Sequence, residues 1–170
     1  MRNLVIRIIA KVFSLAKECY ELNTYNNYRR KYNIDSTFVF NGEGTLFYGD
    51  GSIDIKQNSY VGRFSLIQVS KGYKVQIGAN CRIGPFFKIW TQSGDADSNF
   101  NEIVIPKLGD VIIEDAVWIG ANVLISSGVK VGRNSIVGAN SVVTSDVPDY
   151  AIVGGIPAKL IRYKRVQREE

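Results

Sequence analysis

From Ile113 onward an aliphatic residue stands at every sixth position: Ile113, Ile119, Ile125, Val131, Val137 and Val143. The same register runs upstream through Ile77, Ile83 and Ile89, and through Ile55, Val61 and Ile67. Four residues after the downstream aliphatics stand small or β-branched residues: Val117, Val123, Val129, Ser135, Ser141 and Val147. A period of six is neither the two of an ordinary strand nor the 3.6 of a helix. It fits a short strand followed by a turn, with one large side chain inward per side. Asn122, Gly128, Asn134 and Asn140 stand three places after successive aliphatics, and Gly120, Gly132 and Gly138 follow three of them directly. Asn and Gly take the left-handed backbone at least cost, so they are expected to mark corners. Three sides close one coil of eighteen residues, which predicts an all-β solenoid whose aliphatics stack in columns. The regular coils are 55–72, 77–94, 113–130 and 131–148, with breaks at 73–76 and 95–112. Cys81 falls in a small-residue column, a packing role.

The repeat leaves both ends outside it. Residues 3–21 place Val5, Ile8, Ile9, Val12, Ala16, Cys19 and Tyr20 on one helical face. Arg7, Lys11, Ser14, Glu18 and Glu21 fall on the other, which predicts an amphipathic helix. Arg7 and Lys11 break its apolar stretch, and it falls short of the ~20 apolar residues a membrane span needs. No small-residue cleavage site of a secretion signal follows it. Two readings stay open: a helix packed across the end of the domain, or peripheral membrane contact through residues 3–21. The chain therefore divides into an N-terminal helical segment (1–36), a β-helix domain (37–153) with an extended loop at about 91–112, and a C-terminal tail (154–170). That tail is expected to contain a short helix.

Charge follows the same division. Residues 1–31 carry seven basic and two acidic residues, and 159–170 carry five basic and two acidic. The body between them is net acidic, although the chain as a whole is +5. Basicity confined to the ends argues against a nucleic-acid binder, which places a basic stripe across its folded face. Two distant cysteines outside any CxxC spacing imply neither a disulfide framework nor a metal site, and fit a reducing, cytoplasmic compartment. The chain has no histidine. That excludes a Ser-His-Asp triad, a Cys-His pair, an HExxH helix and a Cys2His2 finger.

Ile119-Gly-Ala-Asn-Val-Leu, Val131-Gly-Arg-Asn-Ser-Ile and Val137-Gly-Ala-Asn-Ser-Val resemble the hexapeptide-repeat acyltransferases. So do Val117-Trp118-Ile119-Gly120, the run Val142–Pro148, and the closing Gly155-Ile156-Pro157-Ala158-Lys159. The resemblance spans roughly 50–164, and is nearest to the O-acetyltransferases of sugars and polysaccharide precursors. It implies a left-handed parallel β-helix, an exception to the right-handed crossover rule. It further implies a homotrimer, acetyl-CoA as acyl donor in grooves between neighbouring prisms, and a sugar or polysaccharide-precursor acceptor. Trp118 and the backbone at Ala121 and Ala139 would flank the pantetheine arm, with Thr144 and Lys159 near the nucleotide. The basic cluster Lys159, Arg162, Lys164 and Arg165 suits phosphates. Ser145 stands where relatives usually carry lysine.

In such enzymes the excursion carries the catalytic histidine, in a pattern like the stretch Ile89-Trp90-Thr91-Gln92-Ser93-Gly94-Asp95-Ala96-Asp97-Ser98-Asn99-Phe100. Gly94 stands at the histidine position, and Asp95 is the nearest ionisable neighbour. Attack of a hydroxyl on a thioester releases a proton, and a base poised near neutrality contributes ~10²–10⁴-fold. An aspartate of ordinary pKa ~3.9 is a weak base. Three readings stay open: an acceptor that needs no histidine, such as an amine; a site variant of a histidine enzyme; and a member that binds without catalysing.

Overall fold

The computed structural model describes residues 2–95, 97–99, 101–102 and 104–165. One helix, α1 (Arg2–Lys31), precedes a parallel β-solenoid with three faces. Sheet 1 stacks Asn33–Ile34, Ser52–Ile55, Lys74–Ile77, Val111–Ile113 and Lys130–Val131. Sheet 2 begins with Val39–Asn41, Tyr60–Gly62, Arg82–Ile83, Trp118–Ile119 and Ile136–Val137, and ends with Ala151–Gly155 and Ala158–Tyr163. Sheet 3 stacks Leu46–Tyr48, Leu66–Gln68, Lys88–Trp90, Leu124–Ile125 and Val142–Val143. The chain visits the faces in the order 1, 2, 3, five times over.

The six-residue register is the register of these sheets. Ile55 pairs with Ile77, Ile77 with Ile113, and Ile113 with Val131 on sheet 1. Val61, Ile83, Ile119 and Val137 align on sheet 2, and Ile67, Ile89, Ile125 and Val143 on sheet 3. All twelve are buried and form the core. Parallel stacking places like side chains on like, so one inward aliphatic per side fills a narrow prism without voids. Among the buried serines of the second column, Ser59 Oγ donates to Gly78 O at 2.7 Å and accepts from Cys81 N at 2.8 Å, whereas Ser135 Oγ is buried without a partner among the described residues. The Cys81 thiol is buried, donates to Glu114 O at 3.1 Å, and is pushed by burial up to about 11.

The corners separate two uses of glycine. Asn122, Gly128, Asn134 and Asn140 have positive φ, as the repeat predicts. Gly120, Gly132 and Gly138 do not. A Cβ at Gly120 would lie 2.5 Å from Ala139 N of the next coil, so glycine there answers to close coil-on-coil approach, not to handedness. Bulky residues also occupy left-handed corners. Phe64 (φ 55°) and Phe86 (φ 59°) do so one above the other, with ring centroids 5.5 Å apart.

Four boundaries differ from expectation. The solenoid begins at Asn33, because the segment before residue 55 forms a first coil whose inward residues are Phe38 and Phe47. The helix continues past 21 to Lys31, where Tyr25 and Tyr28 pack on Phe40 and Phe47. The excursion rejoins sheet 1 at Val111, inside the expected loop. The expected short C-terminal helix is instead a strand. Ala158–Tyr163 turns back antiparallel on Ala151–Gly155, which itself pairs with Ile136–Val137. The solenoid ends on an open strand whose backbone groups need partners, and a Gly-Gly-Ile-Pro turn lets the chain supply them.

Candidate active site

After Lys88–Trp90 the chain leaves sheet 3 and forms an antiparallel hairpin, Gln92–Gly94 with Pro106–Leu108, in which Gly94 faces Pro106. Beneath it lies a cavity of about 520 Å³ lined by Tyr48, Gln68, Trp90, Gln92, Ser93, Gly94, Val104 and Pro106. Tyr48, Gln68 and Trp90 are in-register partners on the outer side of sheet 3. Ser70 ties the sheet to the hairpin: its hydroxyl accepts from Gln68 Nε2 at 3.0 Å and donates to Gln92 Oε1 at 2.9 Å. Its amide donates to Thr91 Oγ1 at 2.8 Å. Gln68 Oε1 is buried without a hydrogen-bond partner among the described residues.

The structure places Gly94 in this cavity and Asp95 outside its lining. Asp95 Oδ1 accepts from Asp97 N at 3.0 Å and its carbonyl accepts from Ser98 N at 3.1 Å, so the residue shapes the loop. Ala96 and Phe100 of the same stretch lie outside the described residues. The described lining carries hydroxyl and amide groups and an indole, and no carboxylate or amine.

Trp118 stands on the outer side of sheet 2 between Arg82 and Ile136, with 56% of its surface exposed. Ala121 and Ala139 follow on the corner from sheet 2 to sheet 3, one coil apart. Close approach of the coils makes that corner a narrow strip, since Cβ atoms at Gly84 and Gly120 would meet Ala121 N and Ala139 N at 2.8 and 2.5 Å. Beside it Asn122 Nδ2 donates to Asn140 Oδ1 at 3.0 Å, and Lys88 Nζ donates to Asn122 Oδ1 at 3.4 Å. Lys159 is exposed on the terminal hairpin opposite Gly154. Thr144 is exposed on the corner from sheet 3 to sheet 1, the corner from which the excursion leaves two coils earlier.

One chain thus divides the candidate residues. Trp118, Ala121, Ala139 and Lys159 gather at sheet 2 and its corner with sheet 3, whereas Gly94 and Thr144 lie across sheet 3 at the other corner. The basic tail does not converge on one point. Lys164 Nζ donates to Asn134 Oδ1 at 2.5 Å, and burial holds its ammonium below the usual lysine range. Sequence reasoning missed Tyr48, Gln68, Trp90 and Gln92. A signal existed: on sheets 2 and 3 the position after the inward aliphatic is small at Gly62, Gly84, Gly120, Ser126, Gly138 and Thr144, but is Gln68 and Trp90 beside the excursion.

Residues 110–145 match the family described as bacterial transferase hexapeptide (six repeats). That stretch carries the hexapeptide repeat. The parallel β-solenoid matches the left-handed β-helix fold of hexapeptide-repeat proteins. The chain is 47% identical over 64 residues to a chloramphenicol acetyltransferase of Klebsiella aerogenes, covering 38% of this chain and 30% of that one. It is 54% identical over 57 residues to a 2,3,4,5-tetrahydropyridine-2,6-dicarboxylate N-acetyltransferase of Staphylococcus aureus, covering 34% and 24%. The chain therefore spans less than a third of the length of these curated relatives. Among solved structures, a hexapeptide-repeat containing acetyltransferase of Vibrio cholerae complexed with acetyl coenzyme A superposes with a TM-score of 0.61. Its identity is 27%, over 86% of this chain and 79% of that one.

Proposed function

We propose that this hexapeptide-repeat protein transfers the acetyl group of acetyl-CoA to a hydroxyl or amine of a saccharide or polysaccharide precursor. The observation that carries the reading is the exposed indole of Trp118 beside the alanine strip of Ala121 and Ala139. It lies inside the stretch that matches the transferase repeat. A thin, flexible acyl carrier needs such a strip, where backbone is reachable and a flat apolar ring borders it. Thr144 and Lys159 are assigned to the nucleotide end, Lys159 as a phosphate partner.

The acceptor is assigned to the cavity under the excursion. Tyr48 and Trp90 offer aromatic surface to a sugar ring, while Gln92 and Ser93 offer hydrogen bonds to hydroxyl or amino groups. Trp118, Ala121, Ala139 and Lys159 lie at one edge of sheet 3 and the acceptor cavity, with Thr144, at the other, so we assign the complete site to a groove between copies in a homotrimer. Apposing the corner of one prism to that of its neighbour brings the two groups together.

In the transfer the acceptor oxygen or nitrogen bonds to the acetyl carbonyl carbon, the carbon–sulfur bond breaks, and coenzyme A leaves as the thiolate. The proton lost by the acceptor passes to that thiolate directly or through solvent. Gly94 supplies no base for that proton, and the described cavity lining contains no other ionised group. This favours an amine acceptor, whose lone pair is free without prior proton removal, over a hydroxyl. The same observation supports a second reading, a member that binds donor and acceptor without turnover. Thiol release from acetyl-CoA, followed with amino-sugar and sugar acceptors for the wild type and Gly94→His, separates them. Turnover with amino-sugars by the wild type supports transfer to nitrogen. A gain of ~10²-fold or more with hydroxyl acceptors in Gly94→His places the reacting atoms at Gly94. Absence of turnover in both forms leaves the binding reading.

A further inference from the structure

The helix α1 docks on the first coil along one stripe. Arg29 donates to Asp35 O and Phe38 O, Tyr25 stacks on Phe40, Glu21 Oε1 accepts from Gly44 N at 3.2 Å, and Lys17 pairs with Glu43. Followed toward the N-terminus at helical spacing, that stripe passes through Ser14, Arg7 and Asn3, with Lys11 and Glu18 beside it. The side of the helix turned toward its own prism is therefore polar. Leu4, Val5, Ile8, Ile9, Val12, Leu15 and Cys19 occupy the opposite side, and Ile6 and Phe13 widen the arc to roughly 200° at ~100° per residue. The large apolar residues of this stretch are all more than half exposed. The prism that carries the helix leaves this surface uncovered.

Three features name what covers it. The arc is much wider than the two-position seam of a coiled coil, so a partner helix would leave most of it wet. Arg2, Arg7, Lys11 and Lys17 precede the first acidic residue, Glu18, which gives the apolar stretch a purely cationic flank. No described helix is long and apolar enough to cross a membrane. A wide apolar arc, cationic borders and insufficient apolar length describe a helix that lies in the boundary of a lipid surface. We propose that residues 3–20 seat this protein on an anionic bilayer surface. The apolar arc enters the headgroup boundary, and Lys11 at its edge meets lipid phosphates. Arg7 on the aqueous side adds to the attraction for the anionic surface, and the prism stands in water. This inference does not rest on the transferase reading.

Flotation of the full chain with vesicles tests it, using phosphatidylcholine alone and phosphatidylcholine with about one third phosphatidylglycerol. The wild type is expected to float with the anionic vesicles and to remain below with the neutral ones. Ile9→Glu/Val12→Glu should lower the floated fraction at least about tenfold, because two charges enter the apolar boundary. Arg7→Glu/Lys11→Glu should lower anionic affinity about 100-fold or more through charge reversal. Ile9 and Val12 lie opposite the docking stripe, and Arg7 and Lys11 lie N-terminal to Lys17, the contact to the prism nearest the helix start. Both variants should therefore keep the wild-type unfolding midpoint. A wild type that floats with neither vesicle, or an Ile9→Glu/Val12→Glu variant that floats like the wild type, overturns the proposal. Failure to float combined with a smaller sedimenting mass for Ile9→Glu/Val12→Glu would instead show that protein covers the arc.

Discussion

Tyr25 and Phe40 stack face to face, with ring centroids 4.2 Å apart and planes 6° from parallel. The Tyr25 hydroxyl also donates to Gly42 O at 2.8 Å, and burial pushes its pKa up. This one side chain binds the helix to the first coil by both dispersion and a hydrogen bond. Tyr25→Ala should destabilise the docked helix by about 1–3 kcal/mol. Hydrogen exchange gives the readout: amides of α1 lose protection while those of the Ile83–Ile119–Val137 column keep theirs. Equal loss in both would mean that helix and prism unfold as one unit.

Two glycines of the repeat should respond differently to the same methyl group. Gly128 has φ +80° and nothing within 4 Å of an added Cβ, so Gly128→Ala should cost about 1 kcal/mol from backbone conformation alone. An added Cβ at Gly120 meets backbone of the next coil at 2.5 Å, and that backbone is fixed by the sheet. Gly120→Ala should therefore cost about 3 kcal/mol or more. Denaturant unfolding of the two variants checks the order, which reverses if handedness governs both corners.

These two positions indicate how far the sequence can be read. Columns such as Ile83–Ile119–Val137 were legible because a parallel solenoid repeats its packing in sequence order. The distinction between Gly120 and Gly128 was not, because close approach of the next coil depends on stacking distance. The first coil escaped the periodicity because Phe38 and Phe47 stand nine apart and are aromatic. The lower helix escaped because Tyr25, Tyr28 and Arg29 look polar until the aromatic surface they cover is known. At the site, Trp118, Ala121 and Ala139 were legible through motif and register. The cavity of Gln68 and Trp90 was not, since the hairpin that roofs it carries no repeat.

The two thiols should be kinetically distinct. Cys19 is exposed, whereas Cys81 is buried and its thiol is raised to about 11. A disulfide reagent at pH 8 should titrate one thiol per native chain, and a second only on unfolding. Two thiols reacting at one rate in the native state would mean that the prism opens at its sheet 1 to sheet 2 corner.

The Glu114–Lys130 pair, 2.8 Å apart on the rim of sheet 1, sets a pH dependence of known sign. The hydrogen bond from Lys130 holds Glu114 below its ordinary value of 4.5, and the same contact raises Lys130 above 10.5. Stability from the depressed carboxyl is present above its unfolded value and is lost as pH falls through the folded one. Stability from the raised ammonium is present below pH 10.5 and is lost as pH rises through its folded value. Glu114→Gln should flatten both limbs of the midpoint-against-pH curve and lower the neutral plateau by the same small amount, because the pair is partly solvated. Unchanged acid and alkaline limbs would contradict this assignment.

The central claim is that the strip formed by Ala121 and Ala139 beside Trp118 receives acetyl-CoA. Calorimetric titration of acetyl-CoA into the wild type and Ala139→Leu tests it most directly. Ala139 is exposed at its corner, so a larger side chain there should leave the unfolding midpoint in place. The account predicts saturable binding by the wild type and a loss of at least about tenfold in Ala139→Leu, since the added side chain fills the strip. Equal affinity in the two proteins, or no binding by the wild type, would contradict it.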